Sequence, residues 1–354
     1  MLLSACAYDT HFEDCAVRCT TDVSCPEDLS CEAEGFCRTP GTTETCAAIL
    51  ETSASCAGLP ATCGPNSDED CCASPLVPGG AFFRSFDVAG DGMYPSTAYP
   101  ATVSDFRLDR FEVTVARFRT FVEAGMGTRL NPPIATAGTH AKIAGSGWNP
   151  SWNDDLAADT AALVTAIKCD PTYQTWTDTA GANENLPINC VDWFEAAAFC
   201  IWDGGFLPSE AEWNYAAAGG DEQRAYPWSS PAGATAIDCS YANYAINAPS
   251  GAHCVNGTIG ALNDVGTESP KGDGRWRHID ISGNVYEWAL DWFALPYANP
   301  CIDCANLTTT AGRAVRGGNF NEVASNLRNS FRTFFVPNTR VAGIGVRCAR
   351  LSSL

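Results

Sequence analysis

Cysteine is the residue type in this sequence with the widest range of possible chemistry. The chain has 354 residues and 19 cysteines, and Cys301 and Cys304 have the C-x2-C spacing of a redox or metal-binding pair. No zinc-type array of repeated pairs accompanies them, and so many cysteines favour disulfides formed in an oxidising compartment. The pair is therefore interpreted first as a structural disulfide and second as a redox or metal site.

The four histidines do not have the spacing of a metal site. They are His11, His140, His253 and His278, and they form neither an H-x3-H nor an H-E-x2-H pattern. The sequence also lacks a phosphate-cradling glycine loop with lysine and a G-x-S-x-G nucleophile elbow. Iron or zinc catalysis, phosphoryl transfer and serine hydrolysis therefore have no candidate residues.

Charge and length restrict the function further. The chain has 41 Asp and Glu against 21 Lys and Arg, a formal net charge of -20, which repels the phosphates of nucleic acid and anionic lipid headgroups. No nucleic-acid partner is expected. No apolar run approaches the ~20 residues of a membrane-spanning helix. The length allows one large domain of about 200 to 280 residues and a small appendage.

The N-terminal part is predicted to be a lipid-anchored stalk. Ten cysteines lie between Cys15 and Cys72 with little aliphatic periodicity, so disulfides must hold residues 7–73 together as an acidic segment. Residues 3–6, Leu-Ser-Ala-Cys, have the form of a bacterial lipobox, in which Cys6 is lipidated when the preceding signal is removed. Residues 1–6 are then the remnant of a signal peptide whose start lies upstream.

Three amphipathic segments are predicted to form the regular frame of the large domain. Residues 109–124 change from alternating to helical spacing, as in a strand that runs into a helix. Residues 192–202 form a second helix and residues 208–218 a third, in which Ser209 and Glu212 have the spacing of a capping box. The remaining sequence is rich in glycine, proline and aromatic residues, so the expected class is α+β with a high loop content.

Four blocks in this region resemble the formylglycine-generating enzyme (sulfatase-modifying factor) family. The most specific runs are LPSEAEW, GNVYEW and RGG. The resemblance implies the family's loop-rich fold, which is distantly related to C-type lectins, for residues 74–354, preceded by the small disulfide-rich segment. The four blocks are residues 109–121, 186–228, 280–292 and 315–350.

The residues that perform the family's chemistry are missing here. In the family, two cysteines shortly after R-G-G-S bind copper, which oxidises a substrate cysteine with O2. This chain has no cysteine between Cys304 and Cys348. Glu322 falls where the first family cysteine would lie, Leu327 near the second, and Asn319 replaces the serine. Since a carboxylate and a leucine cannot form a thiolate site for Cu(I), the resemblance implies no catalytic residue and no bound copper.

The resemblance also implies calcium. A hard cation takes carbonyl, amide and carboxylate oxygens, and one ion is expected in the loop that ends in the Glu287 carboxylate. A second site would begin at Asn243 and Tyr244, but its downstream aspartate is not recognisable. The ligands implied for the first ion are Ser282, Gly283, Asn284, Val285 and Glu287.

Disulfides are expected among the eight late cysteines. The resemblance implies that Cys200 pairs with Cys348 in the terminal G-x-R-C run. Proximity in sequence favours three further pairs, which are Cys169 with Cys190, Cys239 with Cys254, and Cys301 with Cys304.

Three functions remain open. The first is a non-catalytic, exported pseudoenzyme, anchored to the bacterial outer membrane or cell surface only through lipid at Cys6, or else periplasmic or secreted, whose groove binds a peptide or glycan. The second is a divergent copper- and O2-dependent oxidase of a protein cysteine. The third is a structural envelope protein. The residues expected to line the groove are Arg316, Asn319, Asn321, Glu322, Asn326 and Arg328.

Overall fold

The computed structural model of the chain divides into two units, Met1–Thr52 and Ser53–Leu354. In the first unit, strand β1 (Ser30–Cys31) pairs antiparallel with β2 (Cys37–Arg38). Cys6, the signal remnant and most of the predicted stalk lie outside the described residues. The structure describes residues 30–31, 37–41, 53–90, 94, 97–247, 252–254 and 262–352.

Short strands form four small sheets in the described part of the larger unit. The four-stranded sheet has the order β12-β11-β9-β13 and is antiparallel except for β13, which runs parallel to β9. The others have the orders β10-β5-β4, β14-β6-β3 and β7-β8. The strands are β3 (Leu76–Val77), β4 (Gly80–Phe83), β5 (Pro100–Val103), β6 (Phe106–Leu108), β7 (Ala245–Asn247), β8 (Ala252–His253), β9 (Tyr286–Trp292), β10 (Cys301–Ile302), β11 (Arg313–Arg316), β12 (Thr333–Phe335), β13 (Ile344–Gly345) and β14 (Ala349–Leu351).

The predicted helices are confirmed, and a further short helix is present. The predicted capping box forms in both directions, since Ser209 Oγ accepts from the Glu212 backbone N–H and the Glu212 carboxylate accepts from the Ser209 N–H. The short helix begins after Asp159, whose carboxylate accepts from Ala162 N. The α-helices are α1 (Val115–Glu123), α2 (Thr160–Ala166), α3 (Trp193–Trp202) and α4 (Glu210–Ala217), and the 3-10 helices are Ala54–Cys56, Pro150–Asp155, Gly220–Glu222 and Ala324–Leu327.

Aromatic side chains fill the main core between α1, α3 and β9. Phe118 and Phe121 of α1 contact Phe199 of α3, each with ring centroids 5.5 Å apart. The buried Trp193 and Trp288 donate their indole N–H groups to backbone carbonyls, at 2.9 Å and 3.1 Å. Tryptophan therefore supplies both buried area and hydrogen bonds to a fold whose short strands satisfy only part of its backbone.

The compact unit begins at Ser53, about twenty residues before the boundary expected at residue 74. Ser53 Oγ and the Ser55 backbone N–H donate to the two oxygens of Asp203, at 2.6 Å and 2.7 Å. Asp203 also accepts from Arg117 at 2.6 Å and from Arg350 at 2.7 Å. Residues 53–73 thus belong to the folded domain, because a buried carboxylate far along the chain accepts hydrogen bonds from the Ser53 hydroxyl and the Ser55 backbone.

Six disulfides cross-link the described residues of the larger unit. All four pairs expected among the late cysteines are formed, and two further pairs hold residues 56–72. No helix of the described residues is long and apolar enough to cross a bilayer. The disulfides indicate an extracytoplasmic domain. They are Cys56–Cys72, Cys63–Cys71, Cys169–Cys190, Cys200–Cys348, Cys239–Cys254 and Cys301–Cys304.

Asp203→Asn should destabilise the domain in a pH-dependent way. Burial alone would raise the pKa of Asp203, but Arg117 and Arg350 outweigh it and lower the pKa to about 2. A lowered carboxyl pKa stabilises the fold above the unfolded value of 3.8, and this contribution is lost as the pH falls towards 2. We expect the substitution to cost about 3–5 kcal/mol at pH 7 and less at pH 3, measured by denaturant unfolding.

The matched control is Asp178→Asn, because the Asp178 side chain is 67% exposed and pairs with Lys168 on the surface. This change should leave the free energy of unfolding nearly constant. An Asp203→Asn protein as stable as the control at pH 7 would contradict the role of the buried carboxylate.

Candidate functional site

Two glycines turn the chain at the end of β11 towards the candidate groove. Gly317 and Gly318 have φ angles of 94° and 74°, in the left-handed region that favours glycine. A Cβ on Gly318 would lie 2.7 Å from Leu327 Cδ1, so a larger residue there would be strained and would have to displace Leu327. The turn begins residues 319–328, here called the groove loop, whose Asn326 and Leu327 return to lie against Gly318.

Polar side chains of the groove loop brace one another. Asn319 Nδ2 donates to Gly343 O at 3.1 Å, and its Oδ1 accepts from Asn321 N at 2.9 Å. Asn326 Nδ2 donates to Glu322 Oε2 at 2.7 Å. Asn321 is exposed, and Asn319, Glu322 and Asn326 are half-buried. These four predicted groove residues therefore share one partly accessible loop.

Glu322 also connects the groove loop to the core. Its carbonyl accepts from Ala245 N at 2.9 Å. Burial, and then the hydrogen bond and charge of the Glu322 side chain, raise the pKa of Tyr286. Within the groove loop, the Phe320 ring contacts the Tyr173 ring, with centroids 5.4 Å apart. The surface near the loop thus combines amides, one carboxylate and a half-buried tyrosine ring.

Arg316 is buried, although the sequence predicted that it would line the groove. It is fully buried and pairs with Glu210 at 3.0 Å. It also donates to Ser85 Oγ at 2.8 Å and to the Tyr297 hydroxyl at 3.1 Å. The desolvated guanidinium needs these partners, so it points into the core. Arg328, at the end of the loop, is half-buried.

The two positions expected from the lost cysteines contain no thiol, and no thiol lies elsewhere in the described domain. Leu327 is fully buried and packs with Tyr226, Tyr244 and Cys254. Within the described range 53–352, every cysteine is part of a disulfide. A two-thiolate copper site therefore does not fit the residues that surround the groove loop.

Comparison with known proteins now identifies the fold. The model of the sulfatase-modifying factor enzyme 1-like domain matches residues 60–352. The chain belongs to this family. The formylglycine-generating enzyme of Streptomyces coelicolor is 28% identical over 300 residues, which cover 78% of this chain and 89% of the relative.

Two further relatives extend the comparison. The inactive C-alpha-formylglycine-generating enzyme 2 of Mus musculus is 25% identical over 289 residues, which cover 77% of this chain and 84% of that protein. The structure of PvdO from Pseudomonas aeruginosa matches with a TM-score of 0.52 and 21% identity. The match covers 78% of this chain and 93% of the PvdO chain. The last likeness shows the fold alone.

In this member of the family, the carboxylate of Glu287 already accepts hydrogen bonds from other side chains. Its two oxygens accept from Arg347 at 2.8 Å and 3.1 Å, and Oε2 also accepts from Trp213 Nε1 at 2.7 Å. Glu287 would have to break this ion pair to bind calcium. The expected carboxylate ligand therefore does not fit, and calcium at Ser282, Gly283 and Val285 stays a prediction without it.

The residues of the second expected calcium site contact those of the first. Asn243 O accepts from Asn284 N at 2.9 Å, and Asn243 Nδ2 donates to Asn284 Oδ1 at 3.2 Å. Tyr244 O accepts from Cys254 N, and the Ser282 hydroxyl donates to Leu327 O. The structure thus brings Asn243 and Asn284 together in a buried amide pair.

A buried cluster of carboxyl groups surrounds this amide pair. Asn284 Nδ2 donates to Glu112 Oε2 at 2.7 Å, and Asn263 Nδ2 donates to Glu268 Oε1 at 2.6 Å. Burial, followed by the charge of Asp280, raises the pKa of Glu112 and brings that of Glu268 to about 9. Burial also raises the pKa of Asp280 to about 6. Burial therefore favours the protonated form of Glu268 over its carboxylate.

Sequence reasoning missed the charged residues of this cluster, and for two residues at or near it, Glu112 and Arg347, the sequence carried a signal. Both stand between apolar neighbours that are buried, in the runs Phe111-Glu112-Val113 and Val346-Arg347-Cys348. A charge within a buried apolar run must find a partner in the core. That pattern was the available signal for both.

Glu268→Gln should stabilise the domain at high pH. The unfolded carboxyl has a pKa near 4.5 and the folded one about 9, so the folded state retains the proton more tightly. This contribution is complete below the unfolded pKa and is lost as the pH rises to about 9. The neutral amide does not ionise, so we expect its melting temperature to exceed that of the unsubstituted protein by at least about 2 °C at pH 9.

The difference should shrink at pH 5, and Glu123→Gln, at an exposed position, should show no pH-dependent difference. A gain that is the same at both pH values would contradict the protonated carboxyl. Stabilisation of the unsubstituted protein by Ca²⁺ at pH 7, lost in Glu268→Gln, would contradict it as well, because a carboxylate would then bind the ion where the account has a protonated carboxyl.

Proposed function

We propose that this chain is a non-catalytic member of the sulfatase-modifying factor family whose groove loop binds a peptide or glycan. The observation that carries the proposal is the replacement of the thiol site by a braced polar loop. Export and a lipid anchor at Cys6 would present the domain at the bacterial cell surface. The family relative named as inactive gives a precedent for loss of activity within this fold.

Copper chemistry is not supported by the residues that replace the thiols. Cu(I) is held by soft thiolates, whereas Glu322 is a hydrogen-bonded carboxylate and Leu327 is a buried aliphatic side chain. The Cys200 and Cys348 sulfurs are likewise buried and joined to each other. No oxidation step can be assigned to the groove loop.

Ligand binding is supported by the chemistry that the groove loop presents. Side-chain amides both donate and accept, which suits the backbone of an extended peptide or the hydroxyls of a sugar. The half-buried Tyr173 adds an aromatic surface beside them. The net charge of -20 favours a neutral or basic ligand over an acidic one.

The domain should not convert cysteine to formylglycine. Residues 53–354 with intact disulfides would be incubated with Cu(I), O2 and a peptide that has the C-x-P-x-R motif, beside an active formylglycine-generating enzyme as control. We expect no converted peptide by mass spectrometry. Conversion at a rate comparable to the control would establish the divergent oxidase instead.

Replacing the exposed side-chain amide of Asn321 should weaken binding of the peptide or glycan ligand. A ligand selected on peptide and glycan arrays would be titrated against Asn321→Ala, with the expected loss of one hydrogen bond raising Kd by about fivefold. The matched control is Asn66→Ala, the same change at an exposed position outside the groove loop. Equal Kd values for the two variants would contradict binding at the loop, and empty arrays would favour a structural envelope protein.

A further inference from the structure

The disulfide between Cys301 and Cys304 lies at the wall of a cavity on another part of the domain. The cavity has a volume of about 460 Å³ and includes Cys304 in its lining. Cys304 is half-buried, whereas Cys301 is only 3% exposed. A molecule in this cavity would therefore meet Cys304, whereas Cys301 does not contribute to its lining. The groove loop does not contribute to these walls.

A fixed arginine contacts the accessible sulfur. Arg84 is 4% exposed, and its Nη1 donates to Cys304 Sγ at 3.7 Å. Its Nη2 donates to Ala298 O at 2.7 Å and to Asn299 Oδ1 at 2.8 Å, and its guanidinium carbon lies 4.4 Å from the centroid of the Tyr297 ring. A guanidinium held against a sulfur stabilises the thiolate form when the disulfide is open.

The other charged groups of the cavity are hydrogen-bonded to other protein groups or, in the case of Lys142, exposed. Glu210 pairs with Arg332, and Asp303 accepts from the backbone and hydroxyl of Ser104 at 2.6 Å and 2.8 Å. Asp291 also lines the cavity, where it accepts two backbone N–H groups, and Lys142 is exposed at the rim. Arg84 is therefore the cation in hydrogen-bond contact with the Cys304 sulfur.

The chain around the pair is held by bonds other than the disulfide. Strand β10 pairs in parallel with β5, with Cys301 opposite Ala101, and Asp303 N donates to Thr102 O at 2.9 Å. The disulfide closes a separation of only 3 residues, so it constrains the unfolded chain far less than a bond across a long loop. Opening it should leave the two thiols close together in a folded domain.

We propose that Cys301 and Cys304 form a thiol–disulfide exchange site for disulfides that reach the cavity. In the reduced protein, the Cys304 thiolate attacks one sulfur of the substrate disulfide and releases the other as a thiolate, which takes a proton. The Cys301 thiol then gives up its proton and attacks the Cys304 sulfur. This step re-forms the Cys301–Cys304 bond and releases the second substrate thiolate.

Two electrons pass from the cysteine pair to the substrate in this sequence, and an external dithiol restores the reduced pair by the reverse steps. The substrate is either a small disulfide, such as that of glutathione, or a disulfide on an extended peptide. Both present the same sulfur chemistry to Cys304, and the two are distinguished by testing each as a separate substrate.

The first test is limited reduction of the full folded chain by dithiothreitol, followed by alkylation and peptide mapping. We expect Cys301–Cys304 to open at least about tenfold faster than Cys200–Cys348, whose sulfurs are both buried, while tryptophan fluorescence stays native. Equal rates, or opening only on unfolding, would overturn the proposal.

The second test uses single-cysteine variants with glutathione disulfide and with a disulfide-bridged peptide. Cys301→Ser should trap the substrate half as a mixed disulfide on Cys304, and Cys304→Ser should trap little on the buried Cys301. Arg84→Gln should slow trapping at pH 7 by about threefold or more, and Arg84→Lys should restore part of the rate. Equal trapping in the two cysteine variants, or on neither, would show a purely structural disulfide.

Discussion

The ion pair between Arg347 and Glu287 is the interaction on which the convergence of loops in this domain depends. Both side chains are buried, and Arg347 also donates to the carbonyls of Asp109, Arg110 and Ile279 at 2.9 Å, 2.6 Å and 2.7 Å. A loop-rich chain leaves carbonyls that sheets would otherwise satisfy. One guanidinium joins four segments here, and loss of one partner from such a buried pair costs about 3–5 kcal/mol.

Local patterns in the sequence predicted much of the frame. The helices at 193–202 and 210–217 follow from their apolar spacing. The start of the second also follows from the capping box of Ser209 and Glu212, which acts within one turn. Helix α2 was not predicted, because seven residues within a loop-rich stretch have too little period. The attachment of residues 53–73 also escaped prediction, because it depends on Asp203, far away in the chain.

The candidate site was less predictable, because residue type does not give side-chain direction. Arg316 and Glu287 both stand in motifs that suggested ligand-binding side chains. Each instead forms a buried ion pair, Arg316 with Glu210 and Glu287 with Arg347. The absence of the thiol pair could be seen directly in the sequence, because a segment without cysteine cannot supply a thiol in any conformation. The accessible amides of the groove loop became recognisable only when the glycine turn at 317–318 placed them.

The loss of the copper site is the central claim, and its most direct test is a competition for Cu(I). The oxidised domain would be titrated into Cu(I) held by a coloured chelator, beside an active formylglycine-generating enzyme. Retention of all copper by the chelator is the result that the structure predicts. Withdrawal of one equivalent of Cu(I) by the domain with its disulfides intact, and its loss in Glu322→Ala, would contradict it and require a copper ligand set other than thiolates.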